Sequence, residues 1–535
     1  MAVRTWLSSA LQRQFPLGTV GGSRSLKILA ARGERTAFQA CVWADGSAPV
    51  DVAVRATASD GLAVSVRRVG CVPVPHHNTG TPADELDGVG HIPGYVPDPL
   101  FPEAEAQVAP GIVAAFWLTV DVAKGATPGP HEVAVDLTVA GKSQRPLKTV
   151  VTVADVALAR RRNFHVTHWF YADSLCDWYK LKPFEKAFWP ICKAYMADYA
   201  AHGLDMIYVP VFTPPLDGVK RPTQLLRVTR GKDGRYRFGW KLVKQWIELA
   251  RSCGIRHFEW THLFTQWGVE HAIRIYERHD GGKLLWPAST GATSKTYRTF
   301  LAQFLPALER FLHAEKLTNR SHFHISDEPH GDAHLANYRK ARAMMAELAP
   351  WMKVMDALTD IRYGREGLVD TPVPSISTTR QYADEGIPSW TYFCCGPRGR
   401  FLNRLLDTPL AKLRMAGWLF YRFGVGGFLH WGYNYWYKSQ TQELIDPFTV
   451  TDGLKWPGWA HGDTCQVYPG PDGPIDSIRW EVFAESLQDY ALLQTLDVPR
   501  DGALLAPLKG FDDFPKDGKW LAATRRKLLS GAAGR

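Results

Sequence analysis

Two adjacent carboxylates, Asp327 and Glu328, follow a short apolar stretch and directly precede Pro329. Neighbouring side chains on a strand point to opposite faces, so both carboxylates reach one pocket only if the strand ends before them. Pro329 favours such an end, because it has no N–H for a sheet and suits the first turn of a helix. Carboxylates at the carboxyl end of a strand occupy the place where α/β barrels keep their catalytic groups. An acidic, solvated turn with Asp332 as helix N-cap would give the same pattern.

The elements that must position this pair follow residue 160, where strand-like apolar runs alternate with helix-like stretches. Such alternation is typical of β/α units around parallel strands. Strands are predicted at 164–171, 204–212, 257–264, 322–326, 353–358, 375–379, 389–395 and 427–431. Helices are predicted at 184–202, 240–253, 296–316, 335–348, 364–369, 409–423 and 475–495. Eight strands close a barrel with a packed interior, so the sequence predicts a TIM-like (β/α)8 barrel over residues 161–535, completed by a C-terminal helix.

The first 160 residues carry another pattern, in which short apolar runs of period two alternate with turn sequences. The runs lie at 37–43, 50–56, 62–69, 113–122, 131–139 and 148–156. Regularly spaced short strands of this kind predict an antiparallel β-sandwich domain over residues 1–160. The insertion at 73–110 is rich in Pro, His, Gly and Asp, and is predicted to be a long loop that could reach a neighbouring site.

A barrel would gather the ends of its strands at one mouth. Besides Asp327 and Glu328, the residues expected there include Trp169, His262, Gln266, Trp267, Asp356, Tyr392 and the aromatic block 431–436. Aromatic rings stack on the apolar faces of sugars, and polar groups fix the hydroxyls. Together with a carboxylate pair, this composition indicates a glycosidase.

Composition and charge argue against several other classes of protein. The net charge is +10, but Lys and Arg are spread along the chain without a zinc-finger or RNP-type motif, which argues against nucleic-acid binding. A sulfated or polyanionic glycan stays open as a partner, as does a homo-oligomer.

The eight cysteines form no C-x-x-C and indicate reduced thiols. No apolar run approaches the ~18–20 residues of a membrane span, and no secretory leader is recognisable. We therefore expect a cytoplasmic protein without membrane association.

Neither a metal nor a cofactor is predicted. His330 and His334 have the i, i+4 spacing of a zinc-peptidase helix, but no Glu lies between them. The glycines at 424, 426 and 427 precede a strand instead of following one, which is the wrong context for a dinucleotide-binding loop.

Five motifs follow one another in the second half of the chain: Asp327-Glu328-Pro329, the aromatic block 431–436, Gly-Asp-Thr-Cys-Gln-Val-Tyr-Pro-Gly at 462–470, Ile-Arg-Trp-Glu at 478–481 and Gln-Asp-Tyr at 488–490. Their order and spacing resemble glycoside hydrolase family 123 and the related domain of unknown function 4091. A β-sandwich before a barrel is also the family's architecture. The resemblance implies an exo-acting β-N-acetylgalactosaminidase that retains configuration by substrate-assisted catalysis on a β-linked GalNAc glycoside. In that mechanism the substrate's own 2-acetamido oxygen attacks the anomeric carbon and forms an oxazolinium ion.

Carried over by position, Glu328 would be the general acid/base and Asp327 would orient the acetamide N–H. An ionised Asp327 beside apolar walls would favour the protonated form of Glu328 that an acid needs. Tyr392 is the candidate for binding the acetamide oxygen, although a core tyrosine with a satisfied hydroxyl fits equally well. Trp431 and Trp436 would form a stacking floor. The candidates for binding ring hydroxyls are Asn434, His262 and Asp463.

Three alternatives stay open from the sequence. The first is a glycosidase of other sugar specificity that pairs Glu328 with Asp356 or Asp463. The second is a non-catalytic carbohydrate-binding barrel, which has less need for two adjacent buried carboxylates. The third is a polyanion-binding protein. No residue distinguishes GalNAc from GlcNAc, which differ in the orientation of the 4-hydroxyl.

Overall fold

The computed structural model describes residues 1–216 and 221–531. The last four residues of the predicted catalytic domain, 532–535, lie outside the described residues. In the described part the chain has a mixed α/β fold with a large sheet content, and the predicted α/β class is confirmed at this level.

The N-terminal part consists of strands that form two large sheets. The strands are β1 (Val3–Ser9), β2 (Ser25–Arg32), β3 (Arg35–Ala44), β4 (Val50–Ala58), β5 (Leu62–Val74), β6 (Gly94–Phe101), β7 (Glu105–Val108), β8 (Val113–Val122), β9 (Gly129–Val139), β10 (Lys142–Ser143) and β11 (Leu147–Ala157). One sheet has the order β1-β3-β8-β5-β6, and the other has the order β2-β11-β9-β4-β7 with β10 beside β9. All six apolar runs predicted from the sequence lie in strands.

Alternating residues of both sheets meet in one hydrophobic core, which includes Phe38, Phe116, Leu137 and Val151. This arrangement follows from the period-two pattern, which places every second side chain on the same face. The pairing is antiparallel except between β2 and β11, which run parallel. The expectation of a purely antiparallel arrangement is therefore wrong at this pair.

The insertion at 73–110 is only partly a loop, which corrects the prediction. β6 and β7 lie within it, and β6 pairs with β5. Pro97 and Pro99 make β6 difficult to recognise as a strand from the sequence, because proline is rare inside strands. The remaining loop extends toward the second half of the chain, where the backbone N–H and the amide of Asn78 donate to Asp407.

After residue 160, short strands alternate with helices. The strands are β12 (His165–His168), β13 (Met206–Val209), β14 (Arg227–Arg230), β15 (Tyr236–Gly239), β16 (His257–Trp260), β17 (Tyr276–Arg278), β18 (Gly281–Leu284), β19 (Ser321–His322), β20 (Met355–Ala357), β21 (Thr371–Val373), β22 (Thr391–Tyr392), β23 (Gly427–His430), β24 (Val467–Pro469) and β25 (Pro474–Ser477). The helices are α1 (Ala172–Trp178), α2 (Phe188–Ala201), α3 (Lys241–Ser252), α4 (Lys295–Ala314), α5 (Gly331–Leu348), α6 (Arg362–Arg365), α7 (Thr379–Asp384), α8 (Leu410–Arg414), α9 (Ala416–Arg422), α10 (Ile478–Thr495) and α11 (Gly518–Gly531).

Eight of these strands pair in parallel or meet through isolated bridges. The parallel pairs are β13-β16-β19, β20-β21 and β22-β23-β12. Bridges between Phe323 and Val354 and between Ser375 and Tyr392 connect these groups in sequence. Between β12 and β13, the Tyr199 hydroxyl accepts from the His168 N–H at 2.7 Å and lies 2.7 Å from the Met206 carbonyl oxygen. The strands thus follow one another in chain order.

Seven of the eight predicted strands overlap these observed strands, and the one predicted at 375–379 is wrong. That segment is a turn into α7, and β21 lies four residues earlier. The prediction failed because Pro372 lies inside β21 and makes its sequence look like a turn. The alternative with Asp332 as N-cap is also wrong, since His330 occupies that position and Asp332 pairs with Arg362.

The two halves of the chain share a sheet and a buried ion pair. β25 pairs with β6, so residues 467–477 extend an N-terminal sheet beyond the predicted boundary at residue 160. Arg479 at the start of α10 donates two hydrogen bonds to Asp98 of β6, and both side chains are buried. The Ile-Arg-Trp-Glu motif therefore contributes to the junction of the halves.

None of the helices within residues 1–216 and 221–531 has both the length and the apolar composition needed to cross a membrane.

Candidate active site

A cavity of about 110 Å³ lies at the carboxyl ends of the parallel strands and contains both predicted catalytic carboxylates. Its walls are formed by Trp169, Gln266, Trp267, Asp327, Glu328, Ala357, Tyr392, Cys394, Cys395, Leu429, Trp431, Gln440 and Trp459. In such a concave site, aromatic rings can stack on a sugar ring, while amides and carboxylates can bind its hydroxyls.

Asp327 and Glu328 reach the same cavity because regular strand geometry ends well before them. β19 stops at His322, and Glu328 has a positive φ of 44°. Its N–H donates to the Ala357 carbonyl at 2.9 Å, and the Trp267 N–H donates to the Asp327 carbonyl at 2.8 Å. Trp267 also has a positive φ, of 63°. Such conformations cost free energy in residues other than glycine and often occur at functional sites.

The two carboxylates have different surroundings. Asp327 is 4% exposed, and its Oδ2 accepts a hydrogen bond from Gln266 Nε2 at 2.8 Å. Glu328 is half-buried, and its Oε1 accepts from the Tyr392 hydroxyl at 2.6 Å. Burial and the negative charge of Glu328 raise the pKa of Tyr392 well above its usual value, so this hydroxyl keeps its proton and acts as donor.

A buried triad beneath the cavity holds the backbone that leads to these carboxylates. His324 lies between Glu259 Oε1, at 2.8 Å from Nε2, and Asp356 Oδ1, at 3.0 Å from Nδ1. The Asp356 carboxylate also accepts from the N–H of Ile325 at 3.1 Å. Glu259 in turn accepts from the Trp169 indole at 2.7 Å. The triad therefore connects the segment before Asp327 with an aromatic wall of the cavity.

His324 carries the positive charge of this triad. Burial alone opposes that charge, but the hydrogen bonds that His324 donates to Asp356 and Glu259 outweigh it and raise the pKa of His324 to about 9. Burial raises the pKa of Asp356. We assign the proton to His324, because it is flanked by two carboxylates and both of its ring nitrogens have an acceptor within hydrogen-bond distance.

Trp431 and Asp463 form the opposite side of the site. The Trp431 indole lines the cavity and donates to Asp463 Oδ2 at 2.8 Å. His430 Nε2 lies 3.3 Å from Asp463 Oδ1. Burial and the nearby charge of Arg404 lower the pKa of His430 to about 4, so its ring is neutral at physiological pH. Asp463 therefore orients a stacking surface.

This cavity is not lined by four of the site residues predicted from the sequence: Asn434, Trp436, His262 and Asp463. Asn434 is fully buried, and its side-chain amide exchanges hydrogen bonds with the backbone of Tyr171 at 2.9 and 3.0 Å. Trp436 is also fully buried, and its indole donates to the Val467 carbonyl. His262 is buried beneath the site and stacks on His324 at 4.1 Å. Asn434 and Trp436 thus stabilise the loop that presents Trp431.

Trp169, Gln266 and Trp267 line the cavity, as expected from their positions at the ends of predicted strands, but no role was predicted for them. Gln440 and Trp459 also line the cavity and were not predicted from the sequence. Trp459 carries no such signal, since it lies in an irregular segment after β23 and meets Trp431 at a ring distance of 5.0 Å. Only the tertiary fold brings it to the site.

A second cavity of about 280 Å³ shares Gln266, Trp267 and Gln440 with the first. Trp267 is 40% exposed and lies between the two spaces. The second cavity is also lined by Pro214, Pro215, His271, Arg274 and Tyr276. The two adjoining cavities together can therefore accommodate a larger molecule than the carboxylate cavity alone.

Four groups among the described residues have ligand atoms close enough to hold an ion. The group His262, His324 and Asp356 is ill suited, because both His324 nitrogens already have carboxylate partners. In the group Cys394, Cys395 and Asp463, the two cysteines line the cavity, and Asp463 is buried beside the Trp431 indole. His330 and His334, which were not predicted to bind a metal despite their spacing, lie at the start of α5, where the His330 N–H contacts His334 Nδ1.

Comparison with solved structures gives a match along the whole chain. A family 123 glycoside hydrolase from Clostridium perfringens, whose structural analysis concerns glycolipid glycan hydrolysis, has a TM-score of 0.76 and 13% identity, with 100% of this chain and 98% of that chain covered. At this identity the likeness shows the fold. A family 5 xyloglucanase from Bacteroides ovatus has a TM-score of only 0.29 and 10% identity, covering 88% of this chain and 98% of that chain, and adds no argument.

No curated protein sequence matches this chain. The family model described as the catalytic domain of glycoside hydrolase 123 matches residues 169–496, which contain both carboxylates and the whole cavity. The chain therefore belongs to glycoside hydrolase family 123.

Proposed function

We propose that this protein is an exo-acting β-N-acetylgalactosaminidase that retains anomeric configuration by substrate-assisted catalysis. The observation that carries the proposal is the placement of Asp327 and Glu328 on one cavity in different surroundings. Asp327 is buried and held by the Gln266 amide, whereas Glu328 is more exposed and faces the open space of the cavity. One carboxylate is thus suited to hold a substrate group and the other to exchange a proton with solvent and leaving group.

In the proposed mechanism, protonated Glu328 donates its proton to the glycosidic oxygen as the bond to the anomeric carbon breaks. The carbonyl oxygen of the substrate's 2-acetamido group attacks that carbon and forms the oxazolinium ion. Asp327 accepts the acetamide N–H and stabilises the positive charge that develops there. Water then attacks the anomeric carbon, the bond from that carbon to the acetamide oxygen breaks, and Glu328 takes the proton of the water. Because the nucleophile belongs to the substrate, the attack is intramolecular and gains from proximity.

The surrounding residues have matching roles in this proposal. The rings of Trp169, Trp431 and Trp459 would enclose the sugar. Tyr392 would bind the acetamide oxygen, and its single hydrogen donates to Glu328 in the free protein. Asp463 would bind a ring hydroxyl with the oxygen that faces away from Trp431. The larger neighbouring cavity would hold the leaving group, which lies beyond Trp267.

For the fold, we propose a closed (β/α)8 barrel after a β-sandwich. Parallel pairs and bridges connect the eight strands in chain order, and the Tyr199 hydroxyl spans the remaining gap between β12 and β13. The shared core of the two N-terminal sheets supports the sandwich.

The geometry gives less support to the alternatives. A glycosidase that pairs Glu328 with Asp356 would need a free Asp356 carboxylate, but Asp356 is fully buried and already bonded to His324 and to the backbone of Ile325. Asp463 holds the Trp431 indole. A non-catalytic binding protein would not require both carboxylates on one cavity.

The test is release of 4-nitrophenol from the β-GalNAc, β-GlcNAc and β-galactose glycosides. We expect turnover of the GalNAc glycoside and none of the galactoside, which lacks the acetamide nucleophile. Glu328→Gln and Asp327→Asn should each lower kcat by about 10²-fold or more, the range for loss of a general acid. The exposed carboxylate Asp332, only a few residues away, provides the control Asp332→Asn.

Equal turnover of the galactoside would refute substrate assistance and favour a two-carboxylate enzyme. Turnover of the GlcNAc glycoside alone would support the substrate-assisted mechanism but refute the proposed specificity for GalNAc. Full activity of Glu328→Gln would refute the assignment of the acid.

A further inference from the structure

Two adjacent cysteines at the end of β22 line the carboxylate cavity, and the proposed reaction does not use them. Cys394 and Cys395 are half-buried and free, with their sulfur atoms 3.7 Å apart. A disulfide would require about 2.05 Å, so the pair is a dithiol. Both thiols therefore face a cavity that admits small molecules.

The separation of the sulfurs fits a shared metal ion. In tetrahedral thiolate sites the Zn–S distance is about 2.3 Å, which places two sulfur ligands about 3.8 Å apart. The two thiols can therefore bind one ion without rearrangement of the backbone. Thiolate ligands select soft or borderline cations such as Zn²⁺ and Cd²⁺ over Mg²⁺ and Ca²⁺.

Asp463 supplies a third ligand atom from another part of the chain. Its ligand atom and those of both cysteines lie within 4.8 Å of one another. The carboxylate is 1% exposed, and its Oδ1 has no well-aligned hydrogen bond among the described residues, although His430 Nε2 lies 3.3 Å away. Oδ2 accepts from the Trp431 indole, an arrangement that commonly orients a ligating carboxylate.

Charges of both signs lie near the group. Asp327 lies on the same cavity and adds negative charge, whereas the positive charge of Arg404 acts on Asp463. Three protein ligands with one face toward the cavity leave a fourth position for water, a common arrangement in zinc sites.

We propose that Cys394, Cys395 and Asp463 form a binding site for a thiophilic divalent cation, with Zn²⁺ as the physiological ion. Binding releases the thiol protons to solvent. The ion occupies the wall of the carboxylate cavity and engages Asp463, so it competes with the sugar. Metal binding is independent of the proposed reaction, whereas inhibition rests on the proposed function.

The test uses Cd²⁺ alone with the full-length reduced protein, because Cd–thiolate bonds give an ultraviolet charge-transfer band. We expect one equivalent to bind with this band, and Zn²⁺ to displace it. Cys394→Ser and Cys395→Ser should each abolish the band at equimolar metal. Asp463→Asn should weaken binding by about tenfold or more. Cys253→Ser is the matched control, since Cys253 is a half-buried free thiol elsewhere.

A second measurement on the wild type guards against variants that do not fold. Cd²⁺ should protect Cys394 and Cys395, but not Cys253, from alkylation, as read by peptide mass spectrometry. A band that persists in both serine variants, or alkylation unchanged by equimolar Cd²⁺, would overturn the site. Metal binding in a protein without glycosidase activity would support the site and refute only the proposed function.

Discussion

Replacement of His324 by Gln tests the charge assignment beneath the active site. His324 is fully buried between Glu259 and Asp356, and its side chain is the cation of this triad. The Gln side chain is similar in length but carries no charge, so two carboxylates would remain buried without their partner. Removal of one partner from a buried ion pair destabilises a protein by about 3–5 kcal/mol. We expect a loss of this size in the free energy of unfolding near pH 6.

The pH dependence follows from the raised pKa of His324. The rise from 6.5 to about 9 on folding corresponds to about 3 kcal/mol, at about 1.36 kcal/mol per pKa unit. Because the folded state holds the proton more tightly, this stabilisation is complete below the unfolded pKa of about 6.5. It decreases as the pH rises and is lost above about 9. The stability difference between wild type and His324→Gln should therefore shrink by about 3 kcal/mol between about pH 6 and pH 10.

The assay is urea unfolding followed by tryptophan fluorescence, at several pH values across this window, for both proteins. His313→Gln serves as control, because His313 is exposed near the end of α4. Parallel stability curves for the wild type and His324→Gln would show that His324 is not protonated in the folded state and would refute the assignment.

The remaining predictions concern activity and packing. Tyr392→Phe removes the hydroxyl that donates to Glu328 and should lower kcat by about tenfold or more, the effect of losing a hydrogen bond to a charged group. The control is Thr359→Val, which removes the other, longer contact of the Tyr392 hydroxyl at 3.5 Å and should leave kcat nearly unchanged. Gln266→Ala removes the amide donor to Asp327 and should lower kcat/KM by about tenfold on the GalNAc glycoside; unchanged kinetics would show that Gln266 does not position Asp327. Gly417→Ala would place a methyl group in collision with the Ser486 carbonyl oxygen, where α9 meets α10, and should lower the unfolding temperature by several degrees. Gly125→Ala, whose added methyl group meets no atom within 4 Å, should have little effect.

Local patterns were sufficient to predict most elements of the fold. Period-two runs predicted six of the eleven N-terminal strands, and apolar segments followed by helical patterns predicted seven of the eight parallel strands. Some errors lie at proline-containing strands, as in β6 and β21, where Pro97 and Pro372 resemble turn residues, whereas β1 and β2 contain no proline and were also missed. Proline weakens a strand locally, but neighbouring strands supply the other contacts that hold these segments extended.

The candidate site was predicted unevenly. The cavity is lined, as expected, by Asp327, Glu328, Tyr392 and Trp431. Each of these residues lies near the end of a predicted strand or directly after it. Asn434 and Trp436 belong to the same aromatic block but are buried in structural contacts. The sequence shows that this block is aromatic, whereas the path of the loop decides which ring is presented to the cavity.

The sequence by itself determined the class of the fold and the position of the carboxylate pair. Both depend on local features, namely hydrophobic period, turn residues and the strand end before Pro329, which a chain segment expresses without distant partners. Only the tertiary structure decided that His324 lies between Glu259 and Asp356, that Trp459 meets Trp431, and that Cys394 and Cys395 face Asp463. These groups are far apart in sequence, and their ionisation depends on the burial and charges that folding creates.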